Sequence, residues 1–235
     1  MQLDDPDLLC TRGWIDGAEV DSARSFAVVD PASMADIATV SDLTASDAAA
    51  AIAAASKAQR EWRSASVNTR TSRIENWAAL IEANAEDLGN IITAESGKPL
   101  REALGEAGQC AALLRWFAER ARELQGEALP VLESGQQNST IKQPVGVVAC
   151  VTPWNFPAAA VVVKAGAAIA AGCAAIVKPS DQTPLIALAL AGLADRAGIP
   201  AGVLNVLPCQ DPTAIGAALC ESPDVRMLSF TGSTR

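Results

Sequence analysis

The chain has 235 residues, of which 50% are hydrophobic and 19% are charged, and this balance excludes a disordered chain. The net charge of −9 leaves no basic surface for DNA or RNA, so nucleic acid is not an expected partner. No uncharged run reaches the length of a membrane span, so we expect a soluble globular protein that has no membrane partner. The sequence also lacks histidine and tyrosine, which excludes histidine-based nucleophile pairs and histidine-ligated zinc, and no metal site is predicted.

The cysteines and the amino terminus indicate a reducing compartment. Six cysteines are spread along a chain that is large enough to fold without disulfides, and none of them forms a CxxC pair. The first residues, MQLDDPDLLC, lack the basic and apolar pattern of a signal peptide and the Arg-rich pattern of a transit peptide. We therefore expect reduced thiols and a cytoplasmic location.

Residues 1–125 are predicted to begin with short strands and to continue mainly as helices. Asp16 and Gly17 form a turn signal, and Asp30-Pro31 ends a short apolar run over residues 26–29. Helices are predicted over residues 44–62, 67–88 and 100–124, because apolar side chains recur there at three- and four-residue spacing.

Residues 126–143 interrupt this helical pattern. They are rich in Gly, Ser, Gln and Asn and contain an alternating run at residues 139–142. We interpret the segment as an extended arm or edge strand that could serve in oligomerisation. A plain surface loop accounts for the composition equally well.

Residues 144–235 change to the pattern of a parallel α/β sheet. Apolar runs at residues 145–151, 174–177, 203–207 and 227–230 are separated by helical stretches rich in Ala and Leu. Strand, helix and strand at this spacing predict four parallel strands with three crossover helices. Because open parallel sheets bind ligands beyond the carboxyl ends of their strands, the loops after these runs are the candidate site.

The motifs in those loops carry a family resemblance. Residues 152–157 read TPWNFP, residues 178–184 read KPSDQTP and residues 230–234 read FTGST. At these motifs the sequence resembles the aldehyde dehydrogenase superfamily, and the resemblance covers the whole chain. Residues 95–100 (ESGKPL) and other helical motifs are most similar to the succinate-semialdehyde dehydrogenase branch.

The resemblance implies an α/β fold of the aldehyde dehydrogenase type, with a mainly helical amino-terminal half and a Rossmann-like parallel sheet that is incomplete at the carboxyl terminus. Residues 1–125 then form the first part of the cofactor-binding domain, residues 126–143 the arm, and residues 144–235 truncated NAD-binding βαβ units, with the catalytic domain absent. The implied reaction oxidises a small aldehyde to a carboxylic acid with NAD, and a homo-oligomer is the implied assembly.

The resemblance assigns the first motif to the reacting end of the cofactor. Asn155 matches the residue whose amide stabilises the oxyanion, while an Asn that bonds only its own turn is the alternative. Thr152, Pro153 and Trp154 are candidate cofactor-binding residues. Trp154 is expected beside the nicotinamide, and a core tryptophan is the competing interpretation.

The other two motifs are expected to hold the rest of the cofactor. Lys178, with Ser180 beside it, matches the lysine that binds the adenosine ribose, and a solvated lysine is the alternative. Asp181 would accept a hydrogen bond from the ribose 2′-hydroxyl and repel a 2′-phosphate, so NAD is preferred over NADP. Gly232 and Ser233 are expected to open a helix whose amides face the pyrophosphate.

The sequence departs from the family in two respects. The family's nucleophilic cysteine and general-base glutamate lie beyond Arg235, so we expect the chain as given to be inactive, and a catalytically inactive nucleotide-binding or oligomerisation module is the alternative. Among the cysteines present, Cys209 lies in a strand-end loop and is the one candidate substitute. Val163 stands where the branch commonly has an arginine that binds the substrate carboxylate, so either other arginines supply that charge or the aldehyde is less acidic.

Overall fold

The structure is a computed structural model that describes residues 1–130 and 134–233. After a short 3₁₀ turn at Pro6–Leu8, β1 (Gly13–Ile15) and β2 (Ala18–Val20) form an antiparallel hairpin. Its turn residues Asp16 and Gly17 have φ angles of 54° and 76°, which Asp and Gly tolerate better than other residues. The predicted turn is therefore confirmed.

A second hairpin and four helices complete the first half of the chain. The hairpin consists of β3 (Ser25–Val29) and β4 (Asp36–Ser41). The helices are α1 (Ala45–Trp62), α2 (Val67–Ala83), α3 (Ala85–Ser96) and α4 (Leu100–Arg122).

The predicted helix over residues 67–88 is wrong at its carboxyl end. α2 stops at Ala83 because Asn84 leaves the helical conformation, with φ −109° and ψ 22°, and its side-chain amide donates to the carbonyl of Leu80 at 2.8 Å. α3 then begins at once and ends at Gly97, whose φ of 71° is the left-handed conformation that glycine adopts readily at helix ends. The first and last predicted helices are confirmed as α1 and α4.

The arm does not join the large sheet. Within the described part of residues 126–143, β5 (Ala128–Leu129) pairs antiparallel with β6 (Asn138–Ser139) in a sheet of their own. The described residues of the arm are exposed, and the choice between an oligomerisation arm and a plain surface loop stays a prediction.

The second half of the chain forms the predicted parallel strands with helical crossovers between them. The strands are β7 (Val147–Val151), β8 (Ala174–Lys178), β9 (Leu204–Val206) and β10 (Val225–Phe230). The crossovers are α5 (Pro157–Val161) with a π-helical turn (Val162–Gly166) and α6 (Ala167–Ala170), then α7 (Leu185–Arg196), then α8 (Pro212–Glu221).

The sheet contains six strands in the order β10-β7-β8-β9-β1-β2. The first four are parallel, as predicted, and β1 then pairs antiparallel with β9 through Trp14 and Val206. The expected α/β fold is confirmed, while the addition of the amino-terminal hairpin to the sheet is a feature that the sequence did not predict. The division of the chain at residues 125 and 143 stays a prediction.

Helices pack on both faces of the sheet at β7. Along β7, Val147 and Ala149 pack with residues of α1 and α8, whereas Val148 and Cys150 pack with residues of α2, α4 and α7. Two fully buried tryptophans fasten these layers: the indole N–H of Trp62 donates to the carbonyl of Ile169 at 2.9 Å, and that of Trp77 to Leu190 at 3.1 Å.

Candidate functional site

The carboxyl ends of β7, β8 and β10 bring three of the sequence motifs together. In the parallel register Val151 lies opposite Lys178 on one side and Phe230 on the other. The N–H of Thr152 donates to the carbonyl of Lys178 at 3.1 Å, and the N–H of Thr231 donates to the carbonyl of Val151 at 3.1 Å. The turn after β7 therefore lies between the loops that follow β8 and β10.

A buried glutamate from α4 holds the end of that turn. Glu106 is 3% exposed, and its Oε1 accepts the N–H groups of Ala158 at 2.9 Å and Ala159 at 3.0 Å in the first turn of α5. Its Oε2 forms an ion pair with Lys98, whose Nζ lies 4.0 Å from the centroid of the Phe156 ring. Because helix first-turn amides have no partner within the helix, this carboxylate fixes where α5 begins.

Asn155 lies on this turn with its side chain available to a ligand. It is exposed, and its amide makes no hydrogen bond to any residue within 1–130 or 134–233, so the alternative of a self-bonded turn does not hold. Trp154 is 54% exposed, which rules out a core tryptophan. Thr152 is buried beneath the turn and Pro153 is half-buried.

Lys178 ends β8 and is 7% exposed, so it is not a solvated lysine. Its ammonium has no ion pair or hydrogen bond with the described residues. Two residues further on, Ser180 donates through Oγ to the carboxylate of Asp181 at 3.3 Å, and that Oγ also accepts the N–H of Gln182 at 3.2 Å. The loop thus offers a cation and a nearby carboxylate at the ligand edge of the sheet.

Gly232 and Ser233 follow β10 and are exposed, without regular secondary structure. Residues 234–235, which follow them in the helix that they are expected to open, lie outside the described residues, so this expectation stays a prediction.

A cavity of about 390 Å³ lies between the β3–β4 hairpin and the loop after β8. Trp154 and Asp181 contribute to its wall, and none of the other predicted site residues does. Glu95, at the end of α3, lines it as well and accepts the N–H groups of Leu185 at 2.8 Å and Ile186 at 3.0 Å. Burial raises the pKa of Glu95 to about 8, and the nearby charge of Glu106 acts in the same direction.

Sequence reasoning missed the roles of Glu95 and Glu106. Both lie on helices, where an acidic residue ordinarily belongs to a solvated face, and no local pattern marks them as buried. The available signals were the motifs at residues 95–100 and 105–106, which carried the family resemblance but suggested no role for either glutamate.

The buried cysteines do not provide an activated nucleophile. Five of the six are buried, and the expectation that Cys209 is a candidate is wrong because this side chain is fully buried. Burial raises the pKa of Cys209 and Cys10 to about 11 and that of Cys150 to about 12, whereas a nucleophilic thiol needs a lowered pKa.

Residues 1–130 and 134–233 lack two further kinds of feature. These residues contain no group of three or more Cys, Asp or Glu side chains arranged to hold a metal ion. None of their helices combines the length and the apolar character of a membrane span.

An α/β sheet with polar loops gathered at its carboxyl edge is the arrangement of the nucleotide-binding enzymes. Comparison with protein families gives the particular class. The sequence model of the aldehyde dehydrogenase family matches residues 14–235, and the chain therefore belongs to that family.

Individual relatives agree with this assignment. Over 230 residues the chain is 47% identical to mitochondrial succinate-semialdehyde dehydrogenase from Mus musculus, and the match covers 97% of this chain and 44% of the relative. It is 43% identical to 3-sulfolactaldehyde dehydrogenase from Pseudomonas putida, covering 100% of this chain and 48% of the relative. The crystal structure of an NADP-dependent enzyme from E. coli superposes with a TM-score of 0.95 at 41% identity, covering 97% of this chain and 48% of that one. The chain thus spans somewhat less than half the length of the relatives that it matches.

Proposed function

We propose that this chain is the amino-terminal, cofactor-binding part of an NAD-dependent aldehyde dehydrogenase of the succinate-semialdehyde type, which oxidises a small aldehyde to a carboxylic acid. The observation that carries the proposal is the pairing of β7 with β8, which sets the turn of Asn155 beside Lys178. Both side chains end in hydrogen-bond donors that have no partner among the described residues. A ligand with oxygen acceptors satisfies both.

The two donors suit the two reactants of such a reaction, the aldehyde and the cofactor. The amide of Asn155 would donate to the aldehyde oxygen as it gains negative charge, and the Glu106 cap would keep the turn in place while it does so. When bound, the nicotinamide cofactor supplies the acceptor for a hydride. Lys178 would donate to the hydroxyl groups of the cofactor's ribose.

Asp181 supports NAD rather than NADP. Its carboxylate lies three residues after Lys178 at the same edge, and the chain as a whole is strongly acidic. A carboxylate accepts from the ribose 2′-hydroxyl and repels a 2′-phosphate. An NADP-dependent enzyme has a similar fold. We therefore base the proposed preference for NAD on Asp181 and not on the fold.

The substrate we propose is an aldehyde that also carries an acidic group, the class to which succinate semialdehyde and 3-sulfolactaldehyde belong. Val163 is 47% exposed and lines a cavity of about 360 Å³ beside Lys164. Because valine cannot pair with an anion, the acidic group would be held by residues other than residue 163.

The 235-residue chain by itself is proposed to bind NAD and to turn over no aldehyde, because five of its cysteines are buried and the exposed one, Cys220, lies near the carboxyl end of α8 and not in a loop of the site. Calorimetric titration tests the first half of this proposal. We expect a Kd for NAD below about 1 mM and at least ten-fold weaker binding of NADP. Absorbance of NADH with succinate semialdehyde tests the second half, and measurable turnover would contradict it.

A matched pair of lysine variants locates the cofactor. Lys178→Met should weaken NAD binding about ten-fold, because it removes the unpartnered ammonium at the sheet edge. Lys57→Met, at an exposed position of α1 that belongs to none of the three motifs, removes the same charge and should leave binding unchanged. Equal Kd values for the two variants would overturn the proposed site.

Self-association through the arm is part of the proposal. Leu129 is 42% exposed and Ile141 is 77% exposed, so the arm presents apolar side chains to solvent. We expect light scattering to show an oligomer that Ile141→Asp dissociates. A monomeric parent chain would leave the arm as a surface loop.

A further inference from the structure

A third cavity, of about 350 Å³, lies at the edge of the sheet opposite to Asn155. Its wall includes Pro144, which precedes β7, and Ala171, which precedes β8. These positions lie at the amino ends of the same strands whose carboxyl ends carry the proposed cofactor loops. The cavity is therefore separate from the site described above.

The charge of this cavity is opposite to that of the chain. Four cationic side chains line it, those of Arg63, Arg70, Arg122 and Lys142, and no acidic side chain belongs to its described wall. The chain as a whole has 27 acidic and 18 basic residues. A concave surface with only positive charges is thus a local exception in an acidic protein.

Most of these cations are not neutralised by the protein. Arg122 forms an ion pair with Glu75 at 2.9 Å. Arg63 and Lys142 form no ion pair with any described residue, and both are exposed. Arg70 donates through Nη1 to the carbonyl of Ala65 at 2.6 Å, but its buried Nε has no hydrogen-bond partner.

We propose that this cavity binds a small multivalent oxyanion, namely a phosphate ester or a dicarboxylate. Guanidinium groups match the oxygen geometry of both classes and form charge-assisted hydrogen bonds with them. The volume is at the lower end of the range of roughly 300–1,000 Å³ that is typical of small-ligand sites. The amino end of α2 at Val67 and the carboxyl end of α4 at Arg122 both lie at the wall, so their helix dipoles oppose each other and the side chains supply the attraction.

The test is calorimetric titration of the 235-residue chain with pyrophosphate and, separately, with malonate, at constant ionic strength set by sodium chloride. The cavity variant is Arg63→Gln combined with Lys142→Gln, because these exposed side chains have no partners in the described structure and their loss should not affect folding. The matched control combines Lys57→Gln with Arg101→Gln, which removes the same charge from exposed positions outside the cavity.

We expect at least one of the two anions to bind the parent chain and the control with the same Kd, and to bind the cavity variant at least ten-fold more weakly. The anion that binds more tightly identifies the phosphate or the dicarboxylate class. Equal Kd values for all three proteins would overturn the proposal. So would titrations in which neither anion gives more heat than sodium chloride at the same ionic strength.

Discussion

Glu106 accepts the backbone N–H of Ala158 at 2.9 Å across 52 residues of sequence, so a helix of the first half of the chain determines where the first crossover helix of the sheet begins. Glu95 has the same relationship with Leu185 at the start of α7. Two buried glutamate side chains thus fix the starts of the two crossover helices that follow the predicted site loops. The geometry of the site therefore depends on residues that do not belong to its motifs.

Breaking the buried ion pair of Lys98 with Glu106 is expected to destabilise the fold strongly. The two side chains are 11% and 1% exposed, and removing one partner leaves the other charge buried and uncompensated. Lys98→Met and Glu106→Leu should each lower the free energy of unfolding by about 3–5 kcal/mol, and the double variant should lose less than the sum. Urea denaturation measures all three.

The exposed pair of Arg115 and Glu82 is the control for that cycle. Arg115→Met should change the free energy of unfolding little, because exposed ion pairs are screened by solvent. If the losses of free energy of unfolding in Lys98→Met and Glu106→Leu sum to the loss in the double variant, the two side chains of the buried pair are not energetically coupled.

Two asparagines are expected to differ sharply in their effect on stability. Asn155→Ala should stay within about 0.5 kcal/mol of the parent, because its exposed amide has no partner among the described residues. Asn205 is fully buried, accepts the N–H of Asp16 at 3.0 Å and donates to the carbonyl of Gly202 at 2.8 Å. Asn205→Ala should therefore cost about 1–3 kcal/mol or more, measured by the same denaturation. A similar loss for both variants would mean that Asn155 is a structural residue.

The parallel strands of the second half were predictable because their signal is local. Short apolar runs alternate with helical stretches, and each observed strand from β7 to β10 overlaps a predicted run. The position of Asn155, Lys178 and Asp181 at the ends of those strands followed directly, since parallel strands end at a common edge.

Other features were not predictable because their causes are distant in sequence. Trp14 pairs with Val206 across most of the chain, and no local pattern in a three-residue strand specifies that partner. The break between α2 and α3 depends on the conformation of Asn84, with no Gly or Pro at the boundary. Glu95 and Glu106 are buried because amides of later helices bind them, which neither helix reveals by itself.

The stability of the protein is expected to depend on pH through Glu95. Burial raises the pKa of this carboxyl from 4.5 to about 8, so between these values the folded protein holds a proton that the unfolded chain has lost. The unfolded state binds fewer protons, and stability therefore falls as pH rises through this window, by up to ~1.4 kcal/mol per pH unit from this group. Glu95→Gln should flatten the profile between about pH 5 and pH 8.

Glu82→Gln is the matched control for the pH profile. The hydrogen bond from Arg115 lowers the pKa of Glu82, so its contribution is present above the unfolded pKa and is lost only as pH falls through the acid range. Between pH 5 and pH 8 this variant should run parallel to the parent. A Glu95→Gln profile that also runs parallel would show that Glu95 stays ionised in the folded protein.

The thiols are expected to react in two classes. Cys220 is exposed, whereas the other five cysteines are buried. When the native protein reacts with an aromatic disulfide reagent, one equivalent of the reagent's thiolate should be released rapidly. The Cys220→Ser variant should release none on that time scale. Unfolding in guanidinium chloride should expose the rest in both proteins. A rapid phase that survives Cys220→Ser would identify an accessible thiol elsewhere.

The preference for NAD over NADP is expected to depend on Asp181. Asp181→Asn keeps the size of the side chain and its ability to accept a hydrogen bond, but removes the negative charge that repels a 2′-phosphate. The ratio of the Kd values for NADP and NAD should then fall about ten-fold, mainly because NADP binds more tightly. Asp195→Asn removes an equal charge from an exposed position of α7 and should leave the ratio unchanged. A ratio that is the same in both variants would show that Asp181 does not face the ribose and that another residue determines the choice of cofactor.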